Sequence, residues 1–329
     1  MYYVLRFPSH ALYEANINLW KKYFDFFRVA KDGFLNGLFN DLKKDDDILV
    51  QLNAIEILSN LAESKHGFDY LTSLNILTQM DLRLNEVSSG PMAHFLMPGY
   101  IKFFGRLAYQ TPRNFHNLYP NFTSILLNML SNSSDQDQQI LALEVFGHIA
   151  LKTDGKQMLK ERPQVQDQFY EVLSQKIMSG TSEAKVRALA VFADVIRNFD
   201  ENVDNEAVAE ELFDKLKPGE SMNYITDLAK KPFADISKEA FDILVAVSAY
   251  SWGLQKMLNV AGFFEYLLDR STAKEKEAKD QKYALISAVC AQRDVSNLIP
   301  PELLKQLRQY VKQGAYFVET TVEVAIEDM

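Results

Sequence analysis

Metal binding, general-base catalysis or thiolate chemistry in this chain would have to draw on a short inventory of side chains. The five histidines are His10, His66, His94, His116 and His148. A helical zinc pair needs two histidines three to five residues apart, so that both imidazoles leave one face of the helix. No two of the five are so spaced. His66 falls at a helix end and His148 inside an apolar segment, where surface or hydrogen-bonded core roles are expected. The single cysteine, Cys290, also sits in an apolar stretch and reads as a small core hydrophobe rather than a nucleophile. One thiol can form neither an internal disulfide nor a zinc site, which points to a reducing compartment.

The phosphate-cradle and nucleophile-elbow signatures GxxxxGK[ST], GxGxxG and GxSxG do not occur. Asp154-Gly155-Lys156-Gln157 has the composition of a phosphate loop, but it keeps register with the repeat described below and reads as that repeat's turn. The run Asp45-Asp46-Asp47 precedes a helical pattern, where carboxylates favour the positive end of the helix dipole. A calcium loop would need ligands at alternating positions closed by a distal glutamate. The expectation is a protein that is not an enzyme, with no cofactor, no metal and no small-molecule substrate.

Charge restricts the partners as well. The balance of 35 Lys+Arg against 44 Asp+Glu gives a net charge of -9, which repels phosphate backbones. No basic stripe offsets it, so no nucleic-acid partner is expected. The densest charged run, Lys274 to Asp280, alternates sign and reads as a solvated helix start or linker. The most apolar window, Ile243 to Leu254, is far short of a membrane span, and the first ten residues lack a signal-peptide core. No membrane association is expected, and the compartment is read as cytoplasmic or nuclear.

The elements that would position any binding residue are helices. Hydrophobic residues make up 47% of the 329, enough for a large core, but that length strains a single compact one. Strand signals are nearly absent, and apolar residues recur at three- and four-residue spacing. Six nine-residue blocks share one pattern: AIEILSNLA from Ala54, YIKFFGRLA from Tyr100, ALEVFGHIA from Ala142, ALAVFADVI from Ala188, AFDILVAVS from Ala240 and KYALISAVC from Lys282. Their starts are 46, 42, 46, 52 and 42 residues apart. Apolar residues hold the second, fourth, fifth and eighth places; small ones usually hold the sixth and ninth, letting neighbouring helices approach closely. Burying four such side chains contributes ~6–12 kcal/mol gross per block, so each helix must be sandwiched between others.

Thirteen residues after a block start lie Gly67, Gly155 and Gly253, which read as helix stops in a left-handed conformation; Pro112 makes the break in the second repeat. Further helices are expected at 122–130, 168–177, 207–216, 262–269 and 302–311. Two or three helices per unit at a period of roughly 40–47 residues define an all-α armadillo/HEAT-like α-solenoid. Residues 1–45 read as incomplete N-terminal repeat helices, 46–314 as about six repeats, and 315–329 as an extended acidic tail lying along the last repeat or mobile. Tyr23, Phe24, Phe26 and Phe27 would leave a greasy front, which predicts a truncated chain or a covering element.

Several phrases are more distinctive than a generic repeat. They are MPGYIKFFGRLA from Met97, KPFADI from Lys231, SWGLQKMLNVAGFFEYLLDRS from Ser251, KDQKYALISAV from Lys279 and GAYFVETTVEVAIED from Gly314. In this order they resemble the proteasome non-ATPase regulatory subunit 5 family, armadillo/HEAT-type assembly chaperones of the 26S proteasome's regulatory particle. The resemblance covers essentially the whole chain and corresponds to roughly the C-terminal two thirds of the family's length. It implies a partner, the small C-terminal domain of a proteasomal AAA ATPase subunit, and an escort role for base subcomplexes that hinders premature docking on the core particle.

In a three-helix solenoid the last helix of each repeat is expected to line the concave groove. The candidate partner-binding residues there are Arg83, Asn128, Glu171, Gln175, Glu265, Tyr266, Asp269, Arg270, Lys305 and Arg308. Tyr266 and Arg270, four apart on one expected helix face, are of the types that dominate interface energetics. The competing reading is a generic armadillo/HEAT scaffold or adaptor for another protein. A transport receptor would need repeated Trp and Asn, and the chain has only Trp20 and Trp252 as tryptophans. An enzyme with an unrecognised site would bind a small ligand beside a perturbed titrating group.

Overall fold

The computed structural model describes residues 34–44, 47–132, 134–198 and 205–318. Among them there are helices, turns and connections, and no strand. Helix α1 (Phe34–Asp41) precedes six successive helix triplets. The first is α2 (Ile48–Glu63), α3 (Lys65–Ser73) and α4 (Ile76–Ser88); the second is α5 (Ala93–Gln110), α6 (Phe115–Leu118) and α7 (Pro120–Ser131). The third is α8 (Gln136–Ile149), α9 (Thr153–Lys160) and α10 (Pro163–Ser179); the fourth is α11 (Ser182–Ile196), α12 (Glu206–Asp214) and α13 (Ser221–Ala229). The fifth is α14 (Ala234–Ser248), α15 (Ser251–Leu258) and α16 (Phe263–Leu268), followed by a 3-10 turn, Arg270–Thr272. The sixth is α17 (Lys276–Ala291), α18 (Val295–Leu298) and α19 (Pro301–Gln313).

The six blocks are the first helices of the six triplets. The chain divides into two compact units, one ending at Leu126 and the other beginning at Leu127. Within the first, α2 packs along α5; within the second, α8 packs along α11, α11 along α14 and α14 along α17. Small residues permit this stacking: a Cβ on Gly147, the sixth place of its block, would lie 2.9 Å from Cγ1 of Val191 on the next block helix. In α5, α8, α11 and α14 all four apolar places are buried, as in Leu189, Val191, Phe192 and Val195. The first block differs from the expected sandwich, since Ile57 is exposed and Leu61 half-buried.

The three register glycines have a different function from the one expected. They are not helix stops: each is the third residue of the second helix, in α3, α9 and α15. None has a positive φ. A Cβ at Gly67, Gly155 or Gly253 would stand 2.0, 1.9 or 2.1 Å from the carbonyl oxygen of Leu61, Ile149 or Val247 respectively. The second helix starts so close to the end of the block helix that only a residue without a side chain fits. Asp154 to Gln157 therefore open a helix rather than form a turn. Asp47 caps α2 by accepting from the backbone N–H of Val50 at 3.1 Å, while Asp45 and Asp46 lie outside the described residues.

After α19 the chain turns back at Gly314, whose φ of 87° is the left-handed region open to glycine. The Tyr316 hydroxyl then donates to Asp280 of α17 at 2.5 Å, so the described start of the tail lies against the last repeat. Residues 319–329 and the front residues 1–33, with Tyr23, Phe24, Phe26 and Phe27, lie outside the described residues.

Candidate partner interface

The candidate residues fall on third helices and the turn after one of them. In the first unit, Arg83 on α4 donates to Glu86 at 2.8 Å and lines a cavity of about 430 Å³, walled by Phe39, Leu42, Ile76, Met80 and Tyr100, with Lys43 beside it. In the second unit, Asn128 is exposed on α7, and Glu171 and Gln175 are exposed one turn apart on α10. Lys305 and Arg308 are exposed on α19, and Glu265 on α16.

Tyr266 and Arg270 do not share a helix face. Helix α16 ends at Leu268, Asp269 is its C-cap, and Arg270 begins the 3-10 turn. Asp269 accepts from the Ser271 backbone N–H at 2.9 Å and its hydroxyl at 2.7 Å, which holds its carboxyl below the usual carboxylate range. The Arg270 guanidinium donates to the carbonyls of Gly314 at 2.9 Å, Ala315 at 3.4 Å and Tyr310 at 3.3 Å, and to Oε1 of Gln313 at 3.3 Å. It lies 3.7 Å from the Tyr310 ring centroid and 5.4 Å from that of Phe317. Tyr266 is half-buried, with the Lys282 ammonium 4.0 Å and the Lys230 ammonium 5.6 Å from its ring centroid. The structure thus gathers Tyr266, Asp269 and Arg270 around the junction of the fifth and sixth repeats, with Arg270 engaged by the chain itself.

Sequence reasoning missed three buried cations, one of which, Lys176 on α10, donates to the Gln136 side chain. Lys156, fully buried on α9, donates to the carbonyls of Ala150 at 2.7 Å, Leu151 at 3.3 Å and Arg197 at 2.8 Å. It thereby caps the ends of two block helices, α8 and α11. Burial pushes its ammonium down to about 7, against the attraction of Asp194. Burial raises the Asp194 carboxyl to about 6; Glu239 and Asp242 push the same way, while Arg197 and Lys156 oppose. Lys282 donates to the carbonyls of Tyr266 at 2.5 Å and Asp269 at 2.9 Å and to the Thr272 hydroxyl. Burial lowers it to about 8, opposed by Asp269. The signal was available for Lys282: it occupies the first place of a block, which Ala holds in four of the other five.

Lys156 and Lys282 act as helix-end caps, because their donors are taken up by main-chain oxygens and by a hydroxyl. Cys290, expected in the core, is half-buried, and burial raises its thiol against the opposing pull of Arg308. His148 is buried in α8 and His66 exposed at the start of α3. Among the described residues no group of three or more His, Cys, Asp or Glu could hold a metal ion, and no helix is long and apolar enough to cross a membrane.

Three-helix repeats whose first helices pack side by side within each unit place the chain among armadillo-like α-solenoids. A designed armadillo repeat protein, solved in complex with the peptide (KR)4, superposes with a TM-score of 0.51 at 15% identity, over 77% of this chain and 98% of that one. An engineered protein matches with a TM-score of 0.50 at 14% identity, over 87% of this chain and 70% of that one. A family described as proteasome non-ATPase 26S subunit matches residues 10–329, and the chain belongs to that family. The human 26S proteasome non-ATPase regulatory subunit 5 is 26% identical over 298 residues, 89% of this chain and 59% of that protein. Its Drosophila melanogaster counterpart is 26% identical over 287 residues, 86% of this chain and 55% of that protein. The chain therefore spans less than two thirds of the length of these relatives.

Proposed function

We propose that this chain is a non-catalytic binding protein that engages the small C-terminal domain of an ATPase subunit in the base of the 26S proteasome's regulatory particle. It escorts base subcomplexes during assembly and, while bound there, sterically blocks premature docking on the core particle. The observation that carries this reading is the match of residues 10–329 to the proteasome non-ATPase 26S subunit family. An α-solenoid supplies the means, because stacked repeats present exposed side chains at regular intervals to an extended partner surface. The proposed contacts are the exposed pairs Glu171 with Gln175 and Lys305 with Arg308.

The test is calorimetric titration of the chain against the C-terminal domain of each base ATPase subunit in turn. Saturable binding to one or two of them, weakened by Lys305→Glu with Arg308→Glu, is the expected result. Binding to none, together with capture of an unrelated partner, would turn the assignment to a general scaffold.

A further inference from the structure

We infer that Gly314–Val318 is a strap that closes over the junction of the fifth and sixth repeats and competes with a protein partner for Arg270. The inference deepens the proposed function and rests on it for the identity of the partner. Two features make this segment a strap. Gly314 reverses the chain with a φ of 87° that other residues adopt only with strain. Arg270 then clamps the returning chain through the carbonyls of Gly314 and Ala315 and the ring of Phe317.

The strap is lightly held beyond the clamp. Tyr316 and Val318 are 53% and 72% exposed, and the hydroxyl of Tyr316 meets Asp280 at the surface. A segment with few buried apolar atoms opens at low free-energy cost. Opening frees Nη1 of a guanidinium whose Nη2 stays on Tyr310 and Gln313 of α19 and which rests on the Tyr310 ring, an Arg–Tyr pairing of the kind found at interface hot spots. The strap also shows what fits in its place: an extended segment offering main-chain carbonyls or a carboxylate to the guanidinium, with an aromatic side chain where Phe317 lies. While the strap is closed, the donors of Arg270 are occupied and a partner meets only the open fraction.

The experiment uses the full chain and three variants, Gly314→Val, Phe317→Ala and Arg270→Ala. Hydrogen exchange across 310–318 reads strap closure, and titration with the ATPase C-terminal domains reads affinity. Gly314→Val and Phe317→Ala should speed exchange in the strap and tighten binding about tenfold, the factor by which a mostly closed strap reduces the competent population. Arg270→Ala should speed exchange equally but weaken binding about tenfold, because it removes the contested group. If the first two variants open the strap and bind no more tightly than the parent chain, competition is refuted and the proposed function stands. If no form binds any ATPase domain, the proposed function itself fails and the competition falls with it.

Discussion

Helices α14 and α17 carry the same nine-residue pattern and bury different shares of it. α14 packs along α11 and α17, and its apolar places Phe241, Ile243, Leu244 and Val247 are all buried. α17 packs along α14; its Tyr283 is half-buried, Ala284 exposed and Cys290 half-buried. Its Leu285, Ile286 and Val289 are buried like their counterparts in α14, and Lys282 adds an ammonium bound to the end of α16 and the turn after it. Apolar stacking runs through the second unit, and cations directed at carbonyls join it both inside, where Lys156 caps α8 and α11, and around the last two repeats, where Lys282 and Arg270 do so. A shared sequence pattern therefore specifies which residues face a neighbour, while the position in the array decides whether a neighbour is there to meet them.

The largest expected effect comes from the glycine joint. Thirteen residues into the fifth repeat stands Gly253, and at the same place in the sixth stands Val295, which is buried. Gly253→Val should cost more than ~4 kcal/mol in urea unfolding, because its Cβ alone would reach 2.1 Å from the Val247 oxygen. Val295→Ala should cost only ~1–2 kcal/mol, the loss of two buried methyl groups. Equal costs would show that the two joints are built alike.

Next is the second place of the blocks. Phe241→Ala should destabilise by ~3–4 kcal/mol, as expected for a buried phenylalanine, and Tyr283→Ala by ~1 kcal/mol, because its ring is only half-buried. The difference in denaturant midpoint at constant slope is the measurement.

Titration gives a smaller and signed contrast. Lys156 and Lys282 have folded values lowered to about 7 and about 8 from 10.5, so unfolding takes up protons between those limits. The stability they contribute is present above 10.5 and is lost as pH falls through about 8 and about 7. Asp194, raised from 3.8 to about 6, contributes stability that is present below 3.8 and lost as pH rises through about 6. The melting temperature should rise between pH 7 and 10, and Lys156→Met should flatten the lower part of that rise. A melting temperature that falls over this window would contradict the burial of both cations.

The smallest effect belongs to the surface. Lys256 pairs with Glu210 at 3.1 Å and Asp214 at 2.9 Å across the fourth and fifth repeats. Lys256→Ala should cost less than ~1 kcal/mol and lose that effect in high salt.

The stacking layer was legible because small and large residues alternate at fixed places, and Gly147 against Val191 realises that logic. Helix α13 was not anticipated: Pro218-Gly219 and the polar residues within SMNYITDLA give it the composition of a connection. The glycines were legible as positions but not as contacts, since the obstructing carbonyl lies six residues earlier on another helix. Arg270 was misread for a related reason. Its spacing from Tyr266 suited a helix that ends at Leu268, and its acceptors are brought to it from 40 to 45 residues further along the chain.

The glycine contact also governs where the chain can change length. From Leu61 to Gly67, Ile149 to Gly155 and Val247 to Gly253 the spacing is six residues each time, whereas block starts are 42 to 52 residues apart. One residue inserted before any of these glycines would bring a side chain against the carbonyl, so that stretch is closed to growth. In the three repeats that carry the glycine, which run 46, 46 and 42 residues to the next block, the variation falls after it; in the fourth, which has none there and runs 52, the extra residues lie between α11 and α12, joined by residues 197–205 against 150–152 between α8 and α9. Where it occurs, the glycine joint fixes the spacing of the first and second helices, and a repeat without it can lengthen there.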